Sequence, residues 1–86
     1  MLTVLLVDDD AEFTEVACTI IEFLGHEVLT AATLKEARDW LEKETFDHVL
    51  LDFMLPDGSG AHLFNELDAL PKRPRVTLIT GHPSVK

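Results

Sequence analysis

The 86-residue sequence predicts a single α/β domain built on a doubly wound parallel sheet. Short apolar runs alternate with amphipathic helical patterns along the chain, which is the order that β-α-β units produce. The apolar runs are continuous, so each strand is expected to be buried on both faces, as in a parallel sheet. Two of these runs end in aspartate, at the sheet edge where folds of this class bind their ligands.

The first strand is the apolar run at residues 3–7, and three acids follow it: Asp8, Asp9 and Asp10. A helix comes next, with Asp10 as its N-cap and Gly25 just past its end. Its apolar residues recur at helical spacing and predict one inward stripe: Phe13, Val16, Ala17, Ile20, Ile21 and Leu24.

The second strand is predicted at residues 26–31, and a second helix follows it. Thr33 and Glu36 form a capping box that opens this helix, which continues to about Glu44. Four residues are predicted to face inward: Leu34, Ala37, Trp40 and Leu41.

The third strand covers residues 46–51, and Asp52 ends it. Residues 53–60 contain one proline and two glycines, which predicts a loop. A third helix, ended by Pro71, is indicated by apolar residues at helical spacing: Leu63, Phe64, Leu67 and Leu70. The fourth strand is predicted at residues 75–80.

Composition argues against several classes of function. Seven Lys and Arg residues stand against 16 Asp and Glu, a formal net charge of −9. Phosphate-rich partners select basic surfaces, so binding to nucleic acid or to an anionic membrane is not expected. No apolar run is long enough to span a membrane, and no secretory signal precedes the first strand. The single cysteine, Cys18, cannot form an internal disulfide, and a cytoplasmic location is the default expectation.

The polar residues that end the strands form a candidate site. Asp8 and Asp9, Asp52, and Thr80 follow three apolar runs, and the carboxyl ends of parallel strands share one edge. Alone, the three adjacent acids would be interpreted as a solvated turn and helix cap. Together with Asp52, they form an all-oxygen set that favours Mg²⁺ or Mn²⁺. A carboxylate beside such a cation is a candidate nucleophile toward phosphorus.

These residues stand in motifs that resemble the receiver domain of two-component response regulators. The motifs are Val7-Asp8-Asp9, the stretch LDFMLPDGSG at residues 51–60, and LITGH at residues 78–82. The second is the most specific, with Pro four residues and Gly eight residues after Asp52. The resemblance covers the whole chain and implies a flavodoxin-like fold with strand order 2-1-3-4. The Thr-Gly-His-Pro ending is similar to receivers of regulators that activate sigma-54 promoters.

The resemblance implies a role for each site residue. Asp52 would be the phosphoacceptor for a sensor histidine kinase, and Thr80 the switch hydroxyl that reaches the phosphoryl oxygens. Asp9 and Asp52 would bind Mg²⁺ directly, Asp8 would help through water, and the backbone carbonyl of Met54 would be a further ligand. The chain would be a signalling module and not a turnover enzyme, and DNA binding would belong to a longer parent protein.

The sequence also departs from the receiver pattern, because it stops after the fourth strand. The resemblance implies a fifth strand followed by a lysine, and Lys86 is not that lysine. Residues 1–86 are therefore interpreted as one partial receiver domain. Apolar residues of the first and third strands are expected to be exposed, and the fourth strand to be an open edge. Both features favour a symmetric homodimer, or an exchange of elements, through the fourth strand.

Two other functions remain open. The missing lysine favours a truncated receiver that binds protein partners without being phosphorylated. An aspartate-nucleophile phosphatase of the haloacid dehalogenase type is disfavoured, because Met54 stands where that class needs a second aspartate.

Overall fold

Strands and helices alternate through residues 1–79, which are the part of the chain described by the structure, a computed structural model. The elements are β1 (Thr3–Val7), α1 (Ala11–Phe23), β2 (Glu27–Ala31), α2 (Leu34–Lys43), β3 (His48–Asp52), β4 (Met54–Leu55), β5 (Gly58–Ser59), α3 (Gly60–Asp68) and β6 (Arg75–Ile79). The predicted alternation is confirmed, and the predicted loop after β3 holds the short hairpin β4–β5. None of the three helices in this part of the chain is long and apolar enough to cross a membrane.

Four strands form one parallel sheet in the order β2-β1-β3-β6. Since β6 is the fourth strand of the sequence prediction, the predicted order 2-1-3-4 is confirmed. Val7 at the end of β1 pairs with Ala31 and Leu51, and Asp52 pairs with Ile79. This register brings the carboxyl ends of the strands to one edge of the sheet.

The core lies between the sheet and the helices α2 and α3. Its buried residues are Leu5, Val7, Ala31, Leu34, Ala37, Phe46, Val49, Leu51, Leu63 and Leu67. Trp40 and Leu41 are half-buried against this core, so the predicted inward face of α2 is confirmed. The third helix is confirmed, but it ends at Asp68, so Leu70 lies beyond it; Leu63 and Leu67 are buried and Phe64 is exposed.

The predicted inward stripe of α1 is wrong for most of its residues. No residue of α1 is fully buried, and only Ala17 and Ile21 of the stripe are half-buried. The other members are 40% to 64% exposed: Phe13, Val16, Ile20 and Leu24. The stripe is wide, and only one side of it meets the sheet. Nothing among residues 1–79 buries the other side.

The expected exposure is wrong for the first strand and only partly right for the third, where Leu50 is half-buried. Leu5 and Val7 belong to the core on the α2–α3 face, so the alternating residues Val4 and Leu6 face α1. Both are buried, because α1 lies on that side of β1. The exposed large apolar side chains include those of α1, Phe53 and Met54 after β3, and Leu78 of β6, which is 48% exposed. The outer edge of β6 pairs with no strand in the described range, as predicted.

Trp40 fastens α2 to the edge strand β2. Its indole Nε1–H donates to the backbone carbonyl of Thr30 at 2.9 Å. The ammonium of Lys43 lies 5.6 Å from the centre of the indole ring, within the range of a cation–π contact. The polar atom of the half-buried indole is therefore satisfied at the rim of the core.

Candidate functional site

Three carboxylates meet at the carboxyl edge of the sheet. Asp8 and Asp9 follow β1, and Asp52 is the last residue of β3. One oxygen from each lies within 4.8 Å of the others. Asp8 and Asp52 are buried and Asp9 is exposed. The structure thus brings together the three acids that the sequence analysis singled out.

The turn from β1 into α1 orients Asp8 and Asp9. The Asp8 amide donates to the carbonyl of Ala31 at 2.9 Å, which continues the pairing of β1 with β2. The Asp8 carboxylate accepts from the Asp10 amide at 2.9 Å, and this bond turns the chain toward the helix. Asp10 caps α1 by accepting from the amides of Glu12 and Phe13, as its predicted N-cap role requires.

The backbone around Asp52 is held closely by the segment that follows it. The Met54 amide donates to Oδ1 of Asp52 at 3.3 Å, and Met54 is the residue whose carbonyl was predicted as a metal ligand. The Gly60 amide donates to the carbonyl of Phe53 at 2.8 Å. A β-carbon on residue 60 would collide with the backbone carbonyl of Asp52, so this approach requires glycine. The glycine eight residues after Asp52 was the signal for this contact.

Within residues 1–79, the carboxylates of the cluster lie close together without a cationic side chain paired to them. Burial raises the pKa of Asp8 above 3.8, and the charges of Asp52, Asp9 and Asp10 raise it further, against the opposing effect of the Asp10 amide bond. None of the ion pairs found among residues 1–79 includes a member of the cluster. Oxygen ligands and uncompensated charge are the setting that a hard divalent cation such as Mg²⁺ prefers.

The predicted switch hydroxyl, Thr80, lies outside the described residues, as does Lys86. Ile79, the residue before Thr80, pairs with Asp52, and the Ile79 carbonyl accepts from the Phe53 amide at 3.2 Å. Thr80 therefore follows a residue that is bonded to the site.

Asp57 stands in the loop predicted at residues 53–60, and the sequence analysis missed what its side chain contacts. Asp57 lies in the turn between β4 and β5, as predicted. Its carboxylate accepts from the amides of Leu34 at 2.8 Å and Lys35 at 3.1 Å, at the start of α2. The Leu34 N–H is the main cause that lowers the pKa of Asp57. Nothing in the local spacing indicates a contact between residues so far apart in the chain.

The chain is similar in sequence to known receiver domains. The family model for the response regulator receiver domain matches residues 4–86. The response regulator protein PilR of Pseudomonas aeruginosa is 33% identical over 81 residues, which are 94% of this chain and 18% of PilR. The chain therefore spans less than two thirds of the length of this relative.

Two solved structures show the same similarity in three dimensions. A CheY-like receiver domain protein from Methanospirillum hungatei has a TM-score of 0.89 and 34% identity, covering 99% of this chain and 68% of that one. The response regulator protein TrrA of Thermotoga maritima, solved in complex with Mg²⁺-BeF, has a TM-score of 0.87 and 28% identity, covering 96% and 72%. With its sheet order, its carboxylate cluster and the family match over residues 4–86, the chain belongs to the response regulator receiver domain family.

Proposed function

We propose that the chain is the phosphoacceptor module of a two-component phosphorelay, in which Asp52 accepts a phosphoryl group from a histidine kinase with Mg²⁺ at its side. The observation that carries this proposal is the meeting of Asp8, Asp9 and Asp52 within 4.8 Å at the carboxyl edge of a parallel sheet. The Mg²⁺-BeF complex of TrrA, which shares this fold, supports it.

The donor set fits Mg²⁺. Asp9 and Asp52 would bind it through their carboxylates and Met54 through its backbone carbonyl, while Asp8 would act through water. All four donors are oxygens. Burial is the main cause that raises the pKa of Asp8, and the charges of Asp52, Asp9 and Asp10 add repulsion that a cation would relieve. When bound, Mg²⁺ would offset the negative charge of the carboxylates and of the incoming phosphoryl oxygens.

Asp52 supplies the reacting atom. One of its carboxylate oxygens forms a bond to phosphorus while the bond from phosphorus to the imidazole nitrogen of the donor breaks, and the electron pair leaves with that nitrogen. The Met54 amide on Oδ1 fixes the rotation of the carboxylate. The product is an acyl phosphate on Asp52, so each chain accepts one group and the module is not a turnover enzyme.

Thr80 is the proposed switch residue. Its hydroxyl would donate to the phosphoryl oxygens and couple their presence to the position of the chain after β6. Its place directly after Ile79, the partner of Asp52 in the sheet, supports this role. In this proposal the module works in the cytoplasm, and control of transcription belongs to a longer parent protein.

We also infer that the 86-residue chain associates with a second copy through β6, as a symmetric dimer or by exchange of elements. The outer edge of β6 is unpaired within residues 1–79, and Leu78 beside it is 48% exposed. The net charge of −9 opposes close approach, but salt screens exposed charges beyond about 8 to 10 Å.

The test uses the 86-residue chain with Mg²⁺ and acetyl phosphate, a small donor that removes the need for a kinase. We expect Mg²⁺ to shift the NMR signals of Asp9 and Asp52 with a Kd in the millimolar range or weaker, on the order of 4 kcal/mol or less. We expect the chain to take up one phosphoryl group. Asp52→Ala should lose this uptake and remain folded, with stability unchanged or higher by about 1 kcal/mol because repulsion is relieved.

Asp39→Ala is the matched control, because it removes an exposed carboxylate on α2 outside the cluster. This variant should be phosphorylated like the wild type. Uptake by Asp52→Ala at the wild-type level would overturn Asp52 as the acceptor. A wild-type chain that binds Mg²⁺ and takes up no phosphoryl group would favour the interaction module instead.

A further inference from the structure

We infer that Asp57 is a positioning residue for the metal and phosphoacceptor site, an inference that rests on the function proposed above. Its Oδ1 accepts from the Leu34 amide at 2.8 Å and its Oδ2 from the Lys35 amide at 3.1 Å. These are the first amides of α2, which have no partner inside the helix. One carboxylate therefore joins the hairpin after β3 to a helix that begins 23 residues earlier.

The start of α2 is capped independently of this contact. The Thr33 hydroxyl accepts from the Glu36 amide at 3.1 Å, and the Glu36 carboxylate accepts from the Ala32 amide at 2.8 Å. Thr33 is the N-cap, and Glu36 reaches back to the amide of the residue before it, so the helix start has a variant of the capping box without Asp57. The contribution of Asp57 is thus to hold the hairpin on the helix, more than to form the helix.

The tip of the hairpin touches α2 at a second point. Gly58 has a φ of +149°, and a β-carbon there would lie 2.9 Å from Cδ1 of Leu34. The side chain of Leu34, itself buried in the core, therefore fills the space beside the tip. The backbone of the tip therefore packs against a buried side chain of the core, and the Asp57 carboxylate holds it there.

The base of the same hairpin is fixed at the phosphoacceptor. Met54 pairs with Ser59, and Gly60 lies against the carbonyl of Asp52. Met54 is thus part of the base. Its amide donates to Asp52, and its carbonyl is the proposed metal ligand. With the Asp57 contact removed, only the packing of Gly58 against Leu34 would hold the tip on α2, and the Met54 peptide groups would be positioned mainly from the base.

The Asp57 contact is charged at neutral pH. The Leu34 N–H is the largest cause that lowers the pKa of this carboxyl. Burial opposes it, and the N–H groups of Lys35 and of Asp57 itself and the charge of Arg38 lower the pKa further. Both hydrogen bonds are therefore charge-assisted and sit at the positive end of the α2 dipole. Asparagine keeps one oxygen acceptor at this place, whereas alanine keeps none.

The experiment compares the wild-type 86-residue chain with Asp57→Ala, Asp57→Asn and a control, Asp39→Ala. The control removes an exposed carboxylate from α2, the helix that Asp57 contacts. Amide exchange at Leu34, Lys35 and Met54, the Kd for Mg²⁺ and the rate of uptake from acetyl phosphate are measured. In Asp57→Ala we expect faster exchange at the three amides, a Kd for Mg²⁺ raised about tenfold and a similarly lowered rate of uptake. In all three measurements Asp57→Asn should lie between the wild type and Asp57→Ala, and Asp39→Ala should match the wild type.

The outcomes separate this inference from the proposed function. Faster exchange at Leu34 and Lys35 with unchanged Mg²⁺ affinity and unchanged uptake would overturn the positioning role and leave the phosphoacceptor standing. A wild-type chain with neither Mg²⁺ binding nor uptake would overturn the proposed function, and this inference with it. If Asp57→Ala does not fold, the same comparison is made with Asp57→Asn, whose circular dichroism must match the wild type.

Discussion

Gly60 lies so close to the backbone carbonyl of Asp52 that a β-carbon on residue 60 would collide with that oxygen. The Gly60 amide bonds the carbonyl of Phe53 in the same place. Helix α3 thus begins directly against the end of β3. The position of Asp52, the proposed phosphoacceptor, therefore depends on the absence of a side chain at residue 60.

Gly60→Ala is expected to destabilise the chain by about 1 to 3 kcal/mol, because backbone atoms must shift to make room. The shift should move Asp52 and weaken Mg²⁺ binding as well. Urea denaturation and a Mg²⁺ titration measure the two effects. Gly25→Ala is the control, since Gly25 has a φ of +92° and no atom within 4 Å of a β-carbon. That variant should lose about 1 kcal/mol from backbone strain and keep its Mg²⁺ affinity. Equal Mg²⁺ affinities in the two variants would contradict the role of Gly60.

Asp8 is expected to make the folded chain less stable at neutral pH than in mild acid. Its pKa in the folded chain is raised above the ordinary value of 3.8 by burial and by Asp52, so the unfolded chain releases this proton first. The contribution of Asp8 is therefore complete below pH 3.8 and is lost as the pH rises through the folded value.

Asp8→Asn should accordingly be more stable than the wild type at neutral pH, by on the order of 1 kcal/mol. The difference should shrink as the pH falls toward 3.8. Asp57 and Glu66 have lowered pKa values, so their contributions to the stability of the folded chain are lost as the pH falls. This loss is the same in the wild type and in Asp8→Asn and does not affect the difference between them. Urea denaturation of both proteins at several pH values measures the difference. A gap that stays constant with pH would show that the charge of Asp8 does not cause it.

Leu78→Lys should weaken the proposed association through β6. Burial of a leucine contributes about 1.5 to 3 kcal/mol, so the Kd for dimerisation should rise about tenfold or more. Leu70→Lys is the control, because Leu70 has a similar exposure, 41% against 48%, and lies after α3. Light scattering over a range of concentrations follows the oligomeric state. A folded wild-type monomer at high concentration would show that the exposed apolar surface has been overestimated.

The ion pair between Arg38 and Glu66 should contribute modestly to the joining of α2 and α3. Nε and Nη2 of Arg38 donate to the two carboxylate oxygens of Glu66 at 3.0 and 2.7 Å. Both side chains are about half exposed, so the coupling free energy in a double-mutant cycle is expected to be about 0.5 to 1 kcal/mol. The exposed pair Lys35–Asp39, with a single contact, should give a smaller value. Coupling that does not weaken in high salt would contradict an electrostatic origin.

Much of the sheet could be predicted from the sequence, because the information is local. Continuous apolar runs mark strands that are buried on both faces, and β1 is such a strand, while β3 is buried on one face and half-buried on the other. The gathering of Asp8, Asp9 and Asp52 could also be predicted, since parallel strands end at a common edge. The spacing of an aspartate, a proline and a glycine in residues 51–60 then indicated the family.

The parts that could not be predicted depend on contacts between distant residues. The exposure of Ile20 and Phe13 depends on what packs beside α1, and periodicity alone does not show which side of a wide stripe meets the sheet. The strands β4 and β5 have two residues each, which is too short for a pattern. The bond from Asp57 to the amides of α2 spans more than 20 residues of chain.

Trp40 gives the chain an intrinsic optical reporter. It is the only tryptophan, and its indole is bonded to the Thr30 carbonyl on the edge strand β2. The wavelength and intensity of its fluorescence will change when α2 separates from that strand and the ring enters water. Emission followed beside the helical signal will therefore show whether this edge of the sheet opens before the rest of the domain or together with it.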